Sequence, residues 1–229
     1  YKMMGIELVV FDIAGTTVSD KGNINGVFRD AFSNAGMNVD AGDVDNVMGY
    51  RKKEAIEIIV ETYKPGFEKD EDFINAIHED FTKQMVDFYE NDEALSPLPF
   101  AEKVFQELQN NKIKVALNTG FTKVIAAPIL KRLGWDNANF IGEVICSDEV
   151  PEGRPRPYMI EKLMKDLKIN HPENVAKVGD TKVDIEEGKN AGCGIVVAVT
   201  TGAYTREQLA KYHPDHIIDS LELLPSLIL

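Results

Sequence analysis

The sequence is poor in cysteine, in basic residues and in long apolar runs, and each shortage argues against a class of structure or binding partner. Its two cysteines, Cys146 and Cys193, lie in apolar stretches predicted to be strands, which favours buried free thiols over a disulfide or a reactive thiol. Lys and Arg number 25 against 38 Asp and Glu, and this net charge of -13 opposes binding to a nucleic acid. No apolar run is long enough to span a membrane and no signal peptide is visible, so we expect no membrane partner and a cytoplasmic location.

What remains is the composition of an ordinary globular protein, with 44% hydrophobic and 28% charged residues. The acidic balance still permits a small anionic ligand, because a few local cations and backbone amides are enough to bind one. Tyr1 and Lys2 precede Met3 and Met4, and we expect them to be a processing remnant outside the fold.

Short segments rich in Val and Ile alternate with amphipathic segments along most of the chain. This alternation predicts an α/β fold, a doubly wound, mostly parallel, Rossmann-like sheet with helices on both faces. The predicted strands are residues 6–13, 114–119, 140–146, 174–179, 194–199 and 216–219. The predicted helices between them are residues 100–111, 122–134, 157–168 and 182–191.

One connection is too long for a simple crossover. About 100 residues separate the first two predicted strands, whereas a crossover needs about a dozen residues or slightly more. Residues 25–92 are mostly helical by pattern and are flanked by the polar or proline-bearing stretches SDKGNIN and DEALSPLP. The sequence therefore predicts a helical cap domain at 20–96, inserted into a core formed by 3–19 and 97–229.

Polar residues stand at the ends of three predicted strands. Asp12 ends the first, residues 118–120 (Asn-Thr-Gly) end the second, and Asp180 follows the fourth, with Asp184 one helical turn later. A single strand-end Asp is often only a helix cap, and Thr-Gly or Gly-Asp pairs mark many turns. Ligands of parallel sheets bind outside the carboxyl ends of the strands, so the joint arrangement predicts a binding site at this edge.

These residue types favour an anion site that contains a metal ion. Three gathered carboxylates would repel one another without a cation, and an all-oxygen set suits Mg²⁺, which also holds substrate phosphate. Thr119 and the amides around Gly120 can donate to phosphoryl oxygens. Arg154, held between Gly and Pro, would add a fixed cation, although a solvated loop arginine is the alternative.

The motifs DIAGT at Asp12, LNTGF at Thr119, GRPRP at Arg154 and VGDTKVDIEEG at Asp180 resemble, in order, the four motifs of the haloacid dehalogenase superfamily. The forms DxAGT, Arg in the third motif and VGDTxxD resemble its phosphonatase branch. The resemblance implies an aspartyl phosphate on the carboxylate that ends the first strand, and a homodimer formed through the cap as one arrangement.

The resemblance also implies roles for the residues around the nucleophile. The carbonyl of Ala14 would join Asp12 and Asp180 as a Mg²⁺ ligand, with Asp184 acting through water. Gly15 would bind the phosphate. The implied substrate is a small phosphonate, such as phosphonoacetaldehyde, or a small phosphate.

Ala14 stands where the ordinary phosphatases of the superfamily have an Asp that protonates the leaving alcohol. Cleavage of a carbon–phosphorus bond instead needs an electron sink for the departing carbon, and a protonated imine between a lysine and a substrate aldehyde is such a sink. The segment MGYRKKEAI offers Lys52 and Lys53, and MGxxK resembles the phosphonatase cap motif with its imine-forming lysine at Lys52.

Helical spacing separates the two lysines. Lys52 shares a face with the apolar residues at positions 55, 56 and 59, whereas Lys53 lies four residues before Glu57 and is predicted to pair with it. Burial and the flanking cations Arg51 and Lys53 are expected to lower the pKa of Lys52 toward the free amine that an imine requires. A structural lysine that reaches solvent is the alternative.

Three departures from the phosphonatase pattern leave the substrate open: Ala55 replaces a histidine, Phe121 replaces a tyrosine, and SDKGNIN lacks a cysteine. A phosphatase of the same fold is the first alternative, and Ala14 argues against it. A non-catalytic phospho-acceptor domain is the second, but such domains lack an inserted cap. Dehalogenation is the third; it needs no metal and would leave Asp180 and Asp184 unexplained.

Overall fold

Six parallel strands form one sheet at the centre of the structure, a computed structural model that describes residues 5–229. The strand order is β3-β2-β1-β4-β5-β6. All six predicted strands are present, and the doubly wound α/β fold is confirmed; the cap and core bounds, including residues 3 and 4 outside the described part, stay a prediction. The strands are β1 Leu8–Asp12, β2 Lys114–Thr119, β3 Glu143–Cys146, β4 Val175–Gly179, β5 Ile195–Val199 and β6 His216–Ile218.

Five helices lie between β1 and β2, and the first four of them are together called the helical insertion. They are α1 Asn23–Asn34, α2 Ala41–Asp45, α3 Lys52–Tyr63 and α4 Glu71–Asn91. The ring of Phe28 on α1 stacks on that of Phe81 on α4, with centroids 4.1 Å apart. Asp70 caps α4 by accepting from the Phe73 amide at 3.1 Å, as expected of an Asp before a helix.

Of the remaining helices, the first precedes β2, and the other five follow β2 to β6 in turn. They are α5 Ala101–Asn110, α6 Lys123–Leu133, α7 Tyr158–Asp166, α8 Lys182–Asn190, α9 Arg206–Ala210 and α10 Pro225–Ile228. The first four were predicted, and the short α9 and α10 were not. Among residues 5–229, no helix combines the length and apolarity needed to cross a bilayer.

The sheet core is covered on both faces, as the apolar run in β1 requires. Val9 and Phe11 pack into one hydrophobic cluster and Leu8 and Val10 into another, because alternate residues of a strand point to opposite faces. The ring of Phe11 meets that of Phe105 on α5 at 5.0 Å. Parallel pairing on both sides of β1 therefore places the carboxyl end of β1 between the ends of β2 and β4.

The two cysteines are free, as expected, but only one lies in a strand. Cys146 ends β3 and is buried, whereas Cys193 lies half-buried in the turn before β5. Its amide donates to the Gly188 carbonyl at 3.0 Å, because the chain is still closing the last turn after α8 at this point.

Candidate active site

The predicted carboxylates meet at the carboxyl edge of the sheet. Asp12 ends β1, Asp180 follows β4, and Asp184 lies in the first turn of α8. One oxygen of each lies within 4.8 Å of the others, and all three side chains are buried. Burial raises the pKa of Asp12, while Arg154 acts in the opposite direction.

Asp180 is the carboxylate that most needs a cation. Its Oδ1 accepts from the Thr16 hydroxyl at 3.0 Å and its Oδ2 from the Ala203 amide at 2.8 Å. Burial raises its pKa well above the ordinary value, and the charges of Asp12 and Asp184 raise it further. None of the ion pairs among residues 5–229 includes it. A cation placed here would favour the ionised form.

Asp184 is already compensated by the protein. Its Oδ2 accepts from the Thr181 hydroxyl at 2.6 Å, and its Oδ1 lies 3.0 Å from both Arg154 Nη1 and Lys177 Nζ. Burial alone would raise its pKa, but these two cations lower it below the ordinary value. This environment fits a carboxylate that acts on a metal through water better than one that binds it directly.

Arg154 is fully buried, so the solvated alternative for it was wrong. Its Nη1 lies 2.7 Å from Asp12 Oδ1, and its Nη2 donates to the Asn118 carbonyl and side-chain oxygens at 2.8 and 2.6 Å. Burial would lower its pKa, yet the surrounding carboxylates raise it above the ordinary value. Arg154 therefore fixes one oxygen of Asp12, and its predicted contact with phosphate stays a prediction.

Two further charged residues of the site were missed from the sequence. Lys177 on β4 and Glu187 on α8 have no exposed surface. Lys177 Nζ donates to Asn118 Oδ1 at 2.6 Å and lies 3.2 Å from Glu187 Oε2, which also lies 3.2 Å from Arg154 Nε. A lysine in the middle of the apolar strand VAKVG was the signal that could have revealed Lys177, and a buried lysine requires a carboxylate partner such as Glu187.

The six charged side chains form one buried ionic network of two cations and four carboxylates: Arg154, Lys177, Asp12, Asp180, Asp184 and Glu187. Its formal charge is therefore two negative units. Uncompensated buried charge is costly, and one divalent cation would neutralise it. Because the available donors are carboxylate and carbonyl oxygens, the set fits Mg²⁺.

A small cavity opens above Asp12, and the predicted Ala14, Thr119 and Gly120 line it. Thr119 Oγ1 accepts from the Phe121 amide at 3.1 Å, which leaves the hydroxyl hydrogen for a ligand. The amide of Gly15, also predicted to bind phosphate, donates to the Val18 carbonyl at 2.8 Å inside its own loop. The phosphate contacts of these residues stay predictions.

Lys52 closes the cavity from the side of the helical insertion. It is the first residue of α3, is 3% exposed, and has its Nζ 5.5 Å and 5.2 Å from the ring centroids of Phe28 and Phe121. Burial lowers its pKa to about 8. This is the environment expected for an amine that reacts in its neutral form.

The cause of that lowered pKa differs from the expected one. Burial comes first and Arg154 is the cation that lowers it further, not the flanking Arg51 and Lys53. The side chain of Arg51 points to backbone carbonyls of the sheet core, and Lys53 is a half-buried ion-pair partner of Glu71 at 2.7 Å. The predicted pair between Lys53 and Glu57 was wrong because the start of α4 lies beside this lysine.

Asp20 is a further acid of the cavity that sequence reasoning missed. Its Oδ1 accepts from the amides of Asn23 and Ile24 at 3.0 and 3.3 Å, at the start of α1. Burial raises its pKa, and the charge of Lys52 opposes that rise. Its place three residues before a helix indicated only a capping role, and nothing in the sequence joined it to Lys52.

Comparison with known proteins agrees with this geometry. The family model described as haloacid dehalogenase-like hydrolase matches residues 6–192. The chain is 32% identical over 204 residues to the phosphonoacetaldehyde hydrolase of Latilactobacillus sakei, covering 83% of this chain and 74% of that protein. It is 30% identical over 214 residues to the phosphonoacetaldehyde hydrolase of Paraburkholderia phytofirmans, covering 88% and 78%.

Solved structures share the fold. A phosphonoacetaldehyde hydrolase-like protein from Oleispira antarctica superposes with a TM-score of 0.81 at 24% identity, covering 98% of this chain and 91% of that one. A hydrolase from Pseudomonas syringae superposes with a TM-score of 0.83 at 18% identity, covering 96% of each chain. At these identities the likeness concerns the fold alone.

Proposed function

The chain belongs to the haloacid dehalogenase-like hydrolases, and from this premise we propose that it is a Mg²⁺-dependent hydrolase that cleaves the carbon–phosphorus bond of phosphonoacetaldehyde or a related small phosphonate. The observation that carries the proposal is the buried Lys52, whose lowered pKa and shared cavity with Asp12 suit imine chemistry. Ala14, in place of an acid, supports the same reading. Membership of a hydrolase family excludes the non-catalytic phospho-acceptor domain.

The metal would be held by Asp12, Asp180 and the Ala14 carbonyl, with Asp184 acting through water. When bound, Mg²⁺ would neutralise the ionic network and bind phosphoryl oxygens of the substrate. The protein groups that face the same oxygens are the Thr119 hydroxyl and the backbone around Gly120. These donors would orient the phosphorus toward Asp12.

Asp12 would be the nucleophile. Arg154 holds its Oδ1 at 2.7 Å, so the other oxygen is left to attack phosphorus. Formation of the Asp12–phosphorus bond breaks the carbon–phosphorus bond and gives an aspartyl phosphate. Water then hydrolyses this intermediate and releases phosphate.

Lys52 would supply the electron sink. Its neutral amine condenses with the substrate aldehyde, one water leaves, and a protonated imine forms. The electron pair of the breaking carbon–phosphorus bond enters the imine and gives an enamine, which takes up a proton and is hydrolysed to the product aldehyde. With a pKa of about 8, roughly one Lys52 in ten is neutral at pH 7, against fewer than about one in a thousand for an ordinary lysine.

Borohydride trapping tests the proposal. Borohydride added with phosphonoacetaldehyde should inactivate the protein and leave a mass adduct on Lys52, with the adjacent, more accessible Lys53 as an internal control on the same peptide. Lys52→Arg should release no phosphate and carry no adduct, whereas Lys53→Arg should behave as the unmodified protein. Phosphate release that persists in Lys52→Arg would refute the imine.

Asp20 favours a second candidate, hydrolysis of a small phosphate monoester. Its carboxyl lines the cavity and has a raised pKa, so it could protonate a leaving alkoxide in place of the missing acid at Ala14. In this case simple phosphate esters would be turned over faster than phosphonoacetaldehyde. Asp20→Asn would then abolish turnover while Lys52→Arg retained it.

We also propose that residues 20–96 act as a cap domain on a core of residues 3–19 and 97–229. The apolar pairing of α1 with α4 supports a helical unit, although its buried side chains join the same hydrophobic cluster as one face of the sheet. A homodimer through this cap is the assembly to test, by measuring the molar mass in solution with and without substitutions on the outer face of α4.

A further inference from the structure

Arg51 connects the helical insertion to the sheet core directly beside Lys52. It precedes α3, and its side chain leaves the insertion and reaches the segment 147–151, which follows β3. Nη1 donates to the Pro151 carbonyl at 2.9 Å, and Nη2 donates to the Val150 carbonyl at 2.8 Å and to the Ser147 carbonyl. One guanidinium thus holds three carbonyls of another part of the molecule, which its planar set of five donors allows.

The segment that Arg51 holds is itself tied to the site. The Ser147 hydroxyl lies 3.1 Å from the carbonyls of Gly120 and Phe121, both of which line the cavity. Three residues after Pro151 the chain reaches Arg154, which contacts Asp12. Arg51 is therefore linked through one short segment to the predicted phosphate loop and to the buried arginine.

The backbone next to Arg51 lies directly on the core. A Cβ atom on Gly120 would collide with the carbonyl oxygens of Gly49 and Tyr50, and one on Gly49 would collide with Thr181. Residues 49–51 thus contact three neighbouring loops of the core. Gly49 and Tyr50 meet Gly120 after β2, the Arg51 side chain meets the segment 147–151 after β3, and Gly49 meets Thr181 after β4. The contacts after β2 and β4 are possible because glycine has no side chain, whereas the contact after β3 consists of hydrogen bonds from Arg51.

We propose that Arg51 is a positioning residue, which clamps the start of α3 to the segment 147–151 and so keeps the Lys52 amine in the cavity lined by Asp12. The proposal rests on the proposed function for the role of Lys52, but the clamp is a property of the fold. Lys53, on the next position of the same helix, pairs with Glu71 inside the insertion and contributes nothing to this clamp.

Chemical labelling measures the clamp without any turnover. The protein is treated briefly with acetic anhydride at pH 8, and the acetylation of Lys52 is divided by that of Lys53 by peptide mass spectrometry. Losing two or three of these hydrogen bonds in Arg51→Gln should raise this ratio about tenfold or more, because the closed arrangement is then weakened and Lys52 reaches solvent more often. Arg51→Lys, which can serve fewer carbonyls, should raise it less.

Arg156→Gln is the matched control. Arg156 is an exposed arginine two residues beyond Arg154, and it pairs with Glu152 at 3.1 Å. This variant should leave the labelling ratio within about twofold of the unmodified protein, as expected for an exposed pair. Circular dichroism and thermal unfolding confirm that each variant is folded, and if Arg51→Gln is not, the ratio in Arg51→Lys decides.

Kinetics separate positioning from general stability. With phosphonoacetaldehyde and Mg²⁺, Arg51→Gln should lower kcat about tenfold or more with a smaller change in KM, Arg51→Lys should recover part of the loss, and Arg156→Gln should change neither. An unchanged labelling ratio in a folded Arg51 variant overturns the proposal. A changed ratio in a protein that does not release phosphate from phosphonoacetaldehyde would refute the proposed function and leave the clamp standing.

Discussion

The cavity has two walls of opposite character. The wall of the sheet core is the ionic network, in which every charge except that of Asp180 has a partner of opposite sign. The wall of the helical insertion is apolar around one amine, with Ile24, Met48 and the ring of Phe28 near Lys52. One wall opposes the effect of burial by pairing its carboxylates with cations, and the other favours the neutral form of its lysine by burial.

This difference lets one cavity combine a carboxylate paired with a cation and an amine whose neutral form is favoured. Burial raises the pKa of Asp12, and pairing with Arg154 opposes that rise without cancelling it. Lys52 has no ion pair among residues 5–229, and burial lowers its pKa to about 8. The same small space thus tunes the two groups by different means, pairing against burial at Asp12 and mainly burial at Lys52.

Among changes to the core wall, replacing Asp12, the proposed nucleophile, should cause the largest loss of activity. Asp12→Asn keeps the shape of the side chain but cannot form the aspartyl phosphate, so we expect phosphate release to fall by more than about a thousandfold with the fold retained. A phosphate-release assay measures the activity, and circular dichroism shows whether the fold is retained. Retention of more than about a hundredth of the activity would contradict the assignment.

Removing the metal should give the next largest loss. After chelation, the ionic network would keep its two excess negative charges and the phosphoryl oxygens would lose their cation, so we expect activity to fall at least about a hundredfold and to return with added Mg²⁺. Ca²⁺, which prefers more ligands at longer distances, should restore little. Full activity after exhaustive chelation would show that this wall needs no metal.

Glu187→Gln tests whether the buried pairs of the core wall stabilise the fold. The substitution removes one carboxylate between Arg154 and Lys177, and breaking such a buried set typically costs about 3 kcal/mol of the free energy of unfolding. Urea unfolding at pH 7 measures it, and Glu173→Gln, at an exposed position, is the control. A loss below about 1 kcal/mol would mean that the network tolerates partial pairing.

The pH dependence of kcat/KM tests the apolar wall, and we expect it to change activity less than the Asp12 substitution and the metal removal above. Because the pKa of Lys52 is lowered to about 8, kcat/KM should rise up to about tenfold per pH unit below 8 and level off above it. For stability the sign follows from the unfolded value of 10.5: between about 8 and 10.5 the unfolded chain binds more protons, so this group adds stability as pH rises through that window. Lys53→Met should leave the profile unchanged.

Much of the sheet and its functional edge was predictable, because buried parallel strands are short apolar runs and polar residues at their ends stand out. Asp12, Asp180 and Asp184 were found in this way, and Lys52 was found because a helical face joins it to apolar neighbours. These are local patterns of period and position.

Apart from Lys177, which stands out in an apolar strand, the missed residues depend on contacts that no local pattern encodes. Glu187 lies near Lys177 because α8 packs back on β4, and its charge alone resembles that of any surface helix. Asp20 lines the cavity because the helical insertion lies over the edge of the sheet, a long-range arrangement that the local sequence does not indicate. The prediction that Arg51 and Lys53 lower the pKa of Lys52 was wrong for the same reason, because residues adjacent in sequence need not lie near the Lys52 amine.

The contacts of Gly49 and Gly120 set how closely the two walls of the cavity approach each other. Gly120 meets the main-chain carbonyls of Gly49 and Tyr50, and Gly49 meets the side chains of Thr181 and Val183. A Cβ atom at either position would push the start of α3, and with it the backbone of Lys52, away from the carboxyl edge of the sheet. The separation of the walls is therefore set by the lack of two side chains, while the rotamers of Asp12 and Lys52 set the remaining span between carboxylate and amine.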